Sequence, residues 1–390
     1  MITVSQALDG VFSLLSPLDV EDVPLRVAAG RVLARPVAAT RDQPPFATSV
    51  MDGYAVRAED VQPGARFSVV GEAAAGHATH RSVKANEAIR IFTGAPVPAG
   101  ASRVIIQEDV ARDGDTITLN DNLDPQAYIR PAGADFHAGT TLHAPQRITP
   151  ELLTLAAAMN LPALPCARQP NVAIIATGDE LVMPGENPGP DQIIASNALG
   201  LAAILEAEGA CTRVLPIARD TLASLETALS LATDADLIVT IGGASVGDHD
   251  LVRNTSVNLD FFKVAMRPGK PLMAGRFGDT PMIGLPGNPV SSLVCGHIFL
   301  RPTIRVLQGL AAEPLKRLTA PLAAPLTPNG PREHYMRALL EDGMLTAAER
   351  QDSGLVTVLA AANALIVRPV GDVSRDTGDS VSYIPLNTTA

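Results

Sequence analysis

The residues with the strongest chemical signal follow a short run of apolar and β-branched residues at positions 237–241. Such a run is typical of a strand buried on both faces of a parallel sheet. It stops at Gly242 and Gly243, and the next seven residues include Ser245, Gly247, Asp248 and Asp250. Glycines let the backbone turn its N–H groups towards a ligand, and ligands of open α/β sheets bind at the carboxyl ends of strands. The loop therefore predicts a binding site, although a turn that needs glycine for its geometry alone is the simpler alternative.

Two more carboxylates follow a second predicted strand, at residues 172–176. Asp179 and Glu180 come directly after a Thr-Gly pair, which places them at the same edge of the sheet as the first loop. Two carboxylate loops at one crevice suit a hard cation such as Mg²⁺, which takes oxygen ligands and bridges phosphates. Glu180 is the preferred candidate, whereas Asp179 is explained at least as well as the cap of a following turn.

Two cations stand three residues apart in the segment 266–271. Arg267 and Lys270 flank a Pro-Gly pair, and a second proline follows at Pro271. Prolines restrict the backbone, so the two charges would be held ready for an anion at a low entropic cost. A solvated basic turn is the alternative, but in a chain this acidic the anion clamp is favoured.

The segment 285–289, Leu-Pro-Gly-Asn-Pro, lies between a predicted strand and a long predicted helix. Proline near a helix start is ordinary. A helix start at this edge also offers free N–H groups and a positive dipole to an anion. Pro286 and Pro289 can therefore both begin the helix and form part of an anion-binding site.

Composition narrows the class of protein. The chain has 390 residues, 46% of them hydrophobic, and a net charge of −11. Nucleic-acid partners need a basic face, so none is expected. No apolar run of transmembrane length and no basic secretion signal is present, so neither a membrane partner nor export is expected. Three widely spaced cysteines predict reduced thiols in a cytoplasmic protein rather than disulfides.

The elements that must position these loops form an alternating strand–helix series over residues 170–310, which predicts an α/β unit with a parallel sheet. Its predicted strands are residues 172–176, 213–217, 237–241, 262–265 and 282–285, and its predicted helices are residues 196–208, 222–233, 250–258 and 289–308. The preceding half is predicted to have helices at 5–15 and 150–160, a linker at 161–165, and strands at 67–70, 88–92, 104–107 and 116–119. Short strands and turns after residue 314 predict a compact β domain.

Six segments together resemble the MoeA family of molybdopterin molybdenumtransferases, which is related to the E domain of gephyrin. They occur in the family's order over nearly the whole chain: residues 30–34 (GRVLA), 51–56 (MDGYAV), 93–98 (TGAPVP), 177–181 (TGDEL), 242–248 (GGASVGD) and 285–290 (LPGNPV).

The resemblance implies a multidomain α/β fold of four parts. These are a discontinuous helical N-terminal domain at residues 1–43 and 135–168, an inserted β domain at 44–134, a MogA-like parallel α/β domain at 169–312 that carries the active site, and a C-terminal β-barrel at 313–390. It also implies a homodimer, in which the inserted domain of one subunit reaches the α/β domain of the other.

The implied reaction is the Mg²⁺-dependent hydrolysis of adenylyl-molybdopterin with insertion of molybdate, which gives molybdenum cofactor and AMP. The implied partners include a MogA-like adenylyltransferase and molybdoenzyme acceptors. By resemblance the catalytic residues are Asp52, Thr93, Asp135, Glu180, Asp220 and Asp250, with Glu180 and Asp250 as metal ligands. The implied substrate-binding residues are Arg130, Gly243, Ser245, Asp248, Arg267, Lys270, Pro286, Pro289, Arg337 and Ser353. Among them, Asp52, Thr93, Arg130 and Asp135 would come from the opposing subunit, and Arg337 and Ser353 would line a molybdate pocket with the two prolines.

Two other functions are open at this point. An adenylyltransferase of the preceding step shares the Gly-Gly-x-Ser loop, but it would not need the inserted and C-terminal β domains. A non-catalytic scaffold like gephyrin would not need the carboxylates.

Overall fold

The computed structural model describes residues 1–243 and 257–386. Within them, the α-helices are α1 (Val4–Ser13), α2 (Pro150–Ala158), α3 (Asn197–Ala207), α4 (Leu222–Ser230), α5 (Pro289–Cys295), α6 (Arg301–Leu307) and α7 (Val356–Ala361). A π-helical turn, Gly296–Leu300, joins α5 to α6 in one continuous helix. Five of the six predicted helices therefore correspond to observed helices, and the sixth, 250–258, lies mostly outside the described residues.

Helix α1 shows how the sequence directs both the start and the packing of an element. The Thr3 side chain accepts a hydrogen bond from the N–H of Gln6, whose side chain accepts one from the N–H of Thr3. This reciprocal cap satisfies N–H groups that the first turn leaves free. The residues at helical spacing, Val4, Ala7, Leu8 and Val11, are buried in the core of the α/β unit.

The first half of the chain is mostly strand. Its strands are β1 (Val20–Pro24), β2 (Val32–Leu33), β3 (Val37–Ala38), β4 (Thr48–Ser49), β5 (Gly53–Val56), β6 (Arg66–Ala73), β7 (Glu87–Ile91), β8 (Arg103–Ile106), β9 (Val110–Asp113), β10 (Thr116–Leu119), β11 (Ile129–Arg130), β12 (Thr141–Leu142), β13 (Gln146–Arg147) and β14 (Ala163–Ala167). A six-stranded sheet, in the order β8-β5-β7-β6-β10-β9, confirms the four predicted strands.

The predicted linker at 161–165 is wrong. Residues 163–167 form β14, which lies between β1 and β2 in a four-stranded antiparallel sheet. Proline in this stretch suggested a break, but Pro165 sits in the strand opposite Asp22. This sheet and α2 share a separate small core.

The α/β unit contains β15 (Asn171–Ala176), β16 (Leu181–Val182), β17 (Ile193–Ile194), β18 (Cys211–Val214), β19 (Leu237–Ile241), β20 (Val257–Phe262), β21 (Met266–Arg267), β22 (Met273–Phe277) and β23 (Thr280–Leu285). Its main sheet has the order β18-β15-β19-β23-β22-β20, and the first four strands are parallel as predicted.

The other two strands of this sheet correct the sequence analysis. Strand β22 was not predicted; it pairs antiparallel with both β23 and β20. Residues 257–258 belong to β20 rather than to the predicted helix 250–258, and of the predicted strand 262–265 only Phe262 lies in a strand. The added strand β22 belongs to a hairpin, in which Gly278 and Asp279 turn the chain straight back from β22 into β23.

The C-terminal part is a closed β unit, as predicted. Its strands are β24 (Leu318–Pro321), β25 (Glu333–Glu341), β26 (Met344–Ala347), β27 (Ala364–Arg368) and β28 (Ser380–Pro385). The order β25-β27-β28-β24, with β26 beside β25, closes through a bridge between Leu322 and Leu345. The short β21 of the α/β unit pairs in parallel with β25, so the Arg267 segment is part of this sheet.

One helical stretch among the described residues, Pro289–Leu307, has the length and apolar composition to cross a membrane. However, the 18-residue window that qualifies is 83% buried inside the protein. It is the central core helix of the α/β unit, packed with α1 and α3.

Candidate active site

Three strand ends meet at the edge where the sequence placed its carboxylate loops. The N–H of Thr177, after β15, donates to the carbonyl of Ile241 at the end of β19 at 2.9 Å. The N–H of Gly242 donates in turn to the carbonyl of Leu285 at the end of β23 at 3.0 Å. Gly242 has a φ of +89°, and a Cβ there would lie 2.8 Å from the Thr177 carbonyl oxygen. Only glycine allows the two loops to approach this closely.

A pocket of about 480 Å³ opens at this edge. Its wall contains five of the predicted site residues: Glu180, Asp220, Gly243, Pro286 and Pro289. The carboxylates stand on one side and the start of α5 on the other. A helix start carries positive dipole and free N–H groups, so the pocket offers a binding surface for a phosphate and oxygen ligands for a cation.

Asp179 has a structural role. Its Oδ1 accepts a hydrogen bond from the N–H of Asp220 at 3.0 Å, and its own N–H donates to Asp220 Oδ2 at 3.4 Å. The contact differs from a simple turn cap, because it ties the loop after β15 to the loop before α4.

A second pocket of about 380 Å³ adjoins the first, and Pro271 lines both. It contains the predicted residues Arg267, Lys270 and Ser353, and it also contains Arg332. Three cations in one small concavity strongly favour an anion. This pocket lies where β21 of the α/β unit joins the C-terminal sheet.

Arg337 lies behind this second pocket and is fully buried. Its Nη2 donates to the carbonyl of Asp352 at 2.9 Å, but its Nε and Nη1 have no hydrogen-bond partner among the described residues. Burial, and then repulsion by Arg267, lower the pKa of the Arg337 guanidinium, against a smaller opposing effect of Asp352. Buried N–H groups are rarely left unpaired, so Nε and Nη1 of Arg337 indicate that a bound polar ligand supplies their hydrogen-bond acceptors.

The neighbouring His334 is affected by the same cations. Burial first, and then Arg267 and Arg337, lower the pKa of its imidazole to about 4. The ring is therefore neutral near pH 7 and adds no charge to the pocket.

Asp52 and Thr93 form a hydrogen-bonded pair in the inserted domain. The N–H and the hydroxyl of Thr93 both donate to Asp52 Oδ1, at 2.8 and 3.0 Å. The backbone hydrogen bond from Thr93, then that from its hydroxyl, lower the pKa of the Asp52 carboxyl, helped by Arg90. The pair thus holds an ionised carboxylate at a half-buried position.

The other two predicted site residues of the first half, Arg130 and Asp135, are located by their backbone contacts. Arg130 in β11 lies opposite Thr48 in β4. The N–H of Asp135 donates to the carbonyl of Gln43 at 2.9 Å. Neither these two residues nor the Asp52–Thr93 pair lines the two pockets of the same chain.

Ser245, Asp248 and Asp250 lie outside the described residues. Over residues 1–243 and 257–386, no group of three or more His, Cys, Asp or Glu side chains could hold a metal. Glu180 and Asp220 nevertheless face one pocket, and Mg²⁺ typically takes one or two carboxylates together with substrate phosphates and water. The donor set therefore fits Mg²⁺ as a shared ligand of protein and substrate.

Family models cover most of the chain. The MoeA N-terminal region (domains I and II) matches residues 2–160, a probable molybdopterin-binding domain matches 173–306, and the MoeA C-terminal region (domain IV) matches 319–386. The chain belongs to the MoeA family. MoeA relatives include molybdopterin molybdenumtransferase 2 of Mycobacterium tuberculosis, 39% identical over 89% of this chain and 90% of that protein. The molybdopterin molybdenumtransferase of Nostoc is 35% identical over 99% of this chain and 94% of that protein.

Solved MoeA structures have the same overall fold. Two crystal structures of molybdopterin biosynthesis MoeA proteins from Pyrococcus horikoshii match with TM-scores of 0.86 and 0.85, at 28% and 26% identity. They cover 99% and 98% of this chain, and 99% of each solved chain. The multidomain fold implied by the six sequence segments is confirmed.

Two pocket residues were missed by the sequence analysis. Arg332 follows an Asn-Gly-Pro turn and carried no motif; only the pairing of β21 with β25 brings it to Arg267. Asn197, at the start of α3, donates to the carbonyl of Gly287 at 2.7 Å and so fixes the loop before α5. No local signal reveals either contact.

Proposed function

We propose that this MoeA enzyme is a molybdopterin molybdenumtransferase that hydrolyses adenylyl-molybdopterin and inserts molybdate, giving molybdenum cofactor and AMP. The observation that carries the proposal is the pair of adjoining pockets. One has carboxylates and a helix start, and the other has three lining cations with the buried Arg337 behind them, two of whose nitrogens lack a partner in the part of the chain that the structure describes. The names of the MoeA relatives support the same reaction.

The first pocket is proposed to hold the adenylyl phosphoanhydride. Water adds to the phosphorus of the adenylyl group and loses its protons to the solvent, while the P–O bond to the pterin phosphate breaks. The pterin phosphate leaves, and the adenylyl group with the oxygen of the water becomes AMP. Mg²⁺, held by Glu180 and Asp250 with Asp220 nearby, would neutralise the phosphate charge when bound. Gly243 and the backbone at Pro286 would bind phosphate oxygens, and Ser245 and Asp248 are further candidates from the loop outside the described residues.

The second pocket is proposed to hold molybdate, a tetrahedral dianion. Arg267, Lys270 and Arg337 supply positive charge, and the Ser353 hydroxyl supplies a neutral hydrogen bond. Because Pro271 lines both pockets, the oxyanion would stay next to the bound pterin substrate. Arg332, which also lines this pocket, would add a fourth cation.

The enzyme is proposed to act as a homodimer in the cytoplasm. Asp52, Thr93, Arg130 and Asp135 do not line the pockets of their own chain, which supports a role across a subunit boundary. The cysteines Cys166, Cys211 and Cys295 are free thiols, as a reducing compartment favours. A MogA-like adenylyltransferase would supply the substrate, and molybdoenzymes would accept the product.

The deciding experiment incubates the purified enzyme with adenylyl-molybdopterin, Mg²⁺ and molybdate and measures AMP. We expect molybdate-dependent AMP release by the wild type, loss in Glu180→Gln, and no change in Glu313→Gln, which replaces an exposed carboxylate away from both pockets. Loading of AMP onto free molybdopterin without release would favour the adenylyltransferase. Full activity of Glu180→Gln would show that this carboxylate is not needed for turnover. Neither AMP release nor AMP loading by the wild type would leave only the scaffold role.

A mixing experiment tests the shared site. Asp52→Ala and Glu180→Gln are each expected to be inactive, but co-refolded they should regain activity, because one site in each mixed dimer has both residues. Random mixing gives mixed dimers in about half of the particles, so about a quarter of wild-type activity is expected. No recovery, or a monomeric active particle, would contradict the dimer.

A further inference from the structure

One guanidinium group holds the loop that carries Glu180. Nη1 of Arg219 reaches three backbone carbonyl oxygens of this loop, those of Gly178 at 3.4 Å, Asp179 at 3.1 Å and Leu181 at 3.0 Å. A charged donor binds carbonyl groups more strongly than a neutral one. The three contacts gather a segment that would otherwise expose its carbonyl groups to water.

Arg219 is itself fixed by the opposite loop. Its N–H donates to the Ser224 hydroxyl at 2.9 Å, and the side chain of Thr221 caps the same helix, α4, by accepting from the N–H of Ser224. The reciprocal hydrogen bonds between Asp179 and Asp220 lie directly beside these contacts. The two carboxylate-bearing loops therefore form one unit with Arg219 at its centre.

The position of the Glu180 side chain depends on this backbone. Gly178 has a φ of +149°, and a Cβ added there would collide with the Glu180 carboxylate, which lies over the glycine. Over the described residues, the Glu180 side chain makes no hydrogen bond or ion pair that would hold it independently. Its direction is thus set by the loop conformation that Arg219 maintains.

We propose that Arg219 is a positioning residue, which holds the loop at residues 178–181 so that Glu180 and Asp220 face the pocket together. This rests on the proposed function, since the two carboxylates are its metal- and phosphate-binding groups. Groups that orient metal-binding carboxylates typically change metal affinity or activity by about 10- to 100-fold when they are removed.

The test compares wild type, Arg219→Met and Arg219→Lys. Methionine keeps an unbranched stem without donors, whereas lysine retains a charged donor for the carbonyl groups. Two quantities are measured: amide hydrogen exchange over residues 178–183 without substrate, and kcat for AMP release as a function of Mg²⁺ concentration. Arg213→Met is the matched control, because Arg213 is a nearby arginine whose ion pair is with Asp234 and not with this loop.

In Arg219→Met we expect faster exchange in the loop, a fall of about 10- to 100-fold in kcat or in apparent Mg²⁺ affinity, and partial rescue in Arg219→Lys. Unchanged exchange and kcat would overturn the proposal. A rise in KM alone, with the loop exchange unchanged, would overturn it as well, because Arg219 would then bind substrate directly. Failure of the wild type to release AMP would instead refute the proposed function, and the exchange data would still decide whether Arg219 orders the loop.

Discussion

The side-chain amide of Asn288 donates a hydrogen bond to the Ser353 hydroxyl at 3.2 Å. The N–H of Val290 donates to the Ser353 carbonyl, also at 3.2 Å. Asn288 belongs to the first pocket and Ser353 to the second, so the start of α5 and the C-terminal domain share a wall. An oxyanion bound in the second pocket would therefore stabilise the wall of the first.

Arg337→Met should abolish oxyanion binding without lowering the stability of the fold. An unpaired buried polar group costs about 1–3 kcal/mol, so the variant should unfold at the same temperature as the wild type or a higher one. Molybdate or tungstate should raise the Tm of the wild type but not that of the variant. At a ligand concentration of 100 times Kd, the free energy of unfolding of the wild type should rise by about 2.7 kcal/mol. Thermal unfolding with and without tungstate measures both effects.

Arg350→Met is the control for this prediction, since Arg350 is an exposed arginine of the same domain that lines neither pocket. It should keep the tungstate response. An undiminished response in Arg337→Met would place the oxyanion elsewhere.

Gly269→Ala should destabilise the clamp between Arg267 and Lys270. The φ of Gly269 is +111°, and a Cβ there would lie 2.5 Å from Cys295 Sγ and 3.0 Å from Met266 Sδ. Overpacking of this kind costs about 1–3 kcal/mol, in addition to backbone strain. Urea unfolding measures the loss.

Gly278→Ala measures the cost of backbone strain alone, because the φ of Gly278 is +58° and no atom of the described residues lies within 4 Å of the added Cβ. The loss should be smaller than in Gly269→Ala. Cys295→Ala should partly rescue Gly269→Ala by making room. Equal losses at both glycines, without rescue, would show that the close approach is unimportant.

Glu208→Gln should loosen the junction between the α/β unit and the N-terminal sheet. The buried carboxylate of Glu208 accepts from Arg301 at 2.7 Å, from Arg305 at 3.0 Å and, across the junction, from Arg147 of the N-terminal sheet at 3.4 Å. Removing one partner of a buried ion pair typically costs about 3–5 kcal/mol. Chemical unfolding near pH 7 should show a loss of this order, whereas the exposed Glu226→Gln should not.

The same site predicts a pH dependence. Burial alone would raise the pKa of the Glu208 carboxyl, but hydrogen bonds from Arg305 and Arg301 outweigh it, and the pKa lies below the ordinary value of 4.5. The stabilisation is therefore complete above that value and is lost as pH falls through the lower, folded-state pKa. The stability difference between wild type and Glu208→Gln should be constant from neutral pH down to about pH 5 and shrink below it. A difference that grows on acidification would contradict this sign.

Thr93→Val tests the pair with Asp52. Valine keeps the backbone donor to Asp52 and removes the hydroxyl donor, so the loss of kcat should be partial, whereas Asp52→Ala should lose activity completely. Thr93→Ser, which keeps a hydroxyl, should be close to wild type. AMP release together with circular dichroism checks that only activity changes. Equal activity in Thr93→Val and wild type would show that the hydroxyl contact is dispensable.

Local patterns were sufficient wherever an element depends on its own residues. The capped, helically spaced α1 and the alternating β10 were both predictable, since periodicity decides which face is buried. Strand β22 was missed although its signal was present: Gly278-Asp279 is a two-residue hairpin turn between two apolar runs. The linker expected at 161–165 failed because neighbouring strands, and not local composition, stabilise β14.

The sequence by itself determined the family, the succession of elements and the edge where Glu180, Gly243 and Pro286 meet, because parallel strands must bring their carboxyl ends together. Only the tertiary structure decided that Arg332 joins Arg267, that Arg337 is buried with N–H groups unpaired within residues 1–243 and 257–386, and that Arg219 binds the loop of Glu180. Each of these contacts joins residues far apart in the chain. Their proximity follows from strand pairing and packing between units, which leave no periodic mark on the sequence.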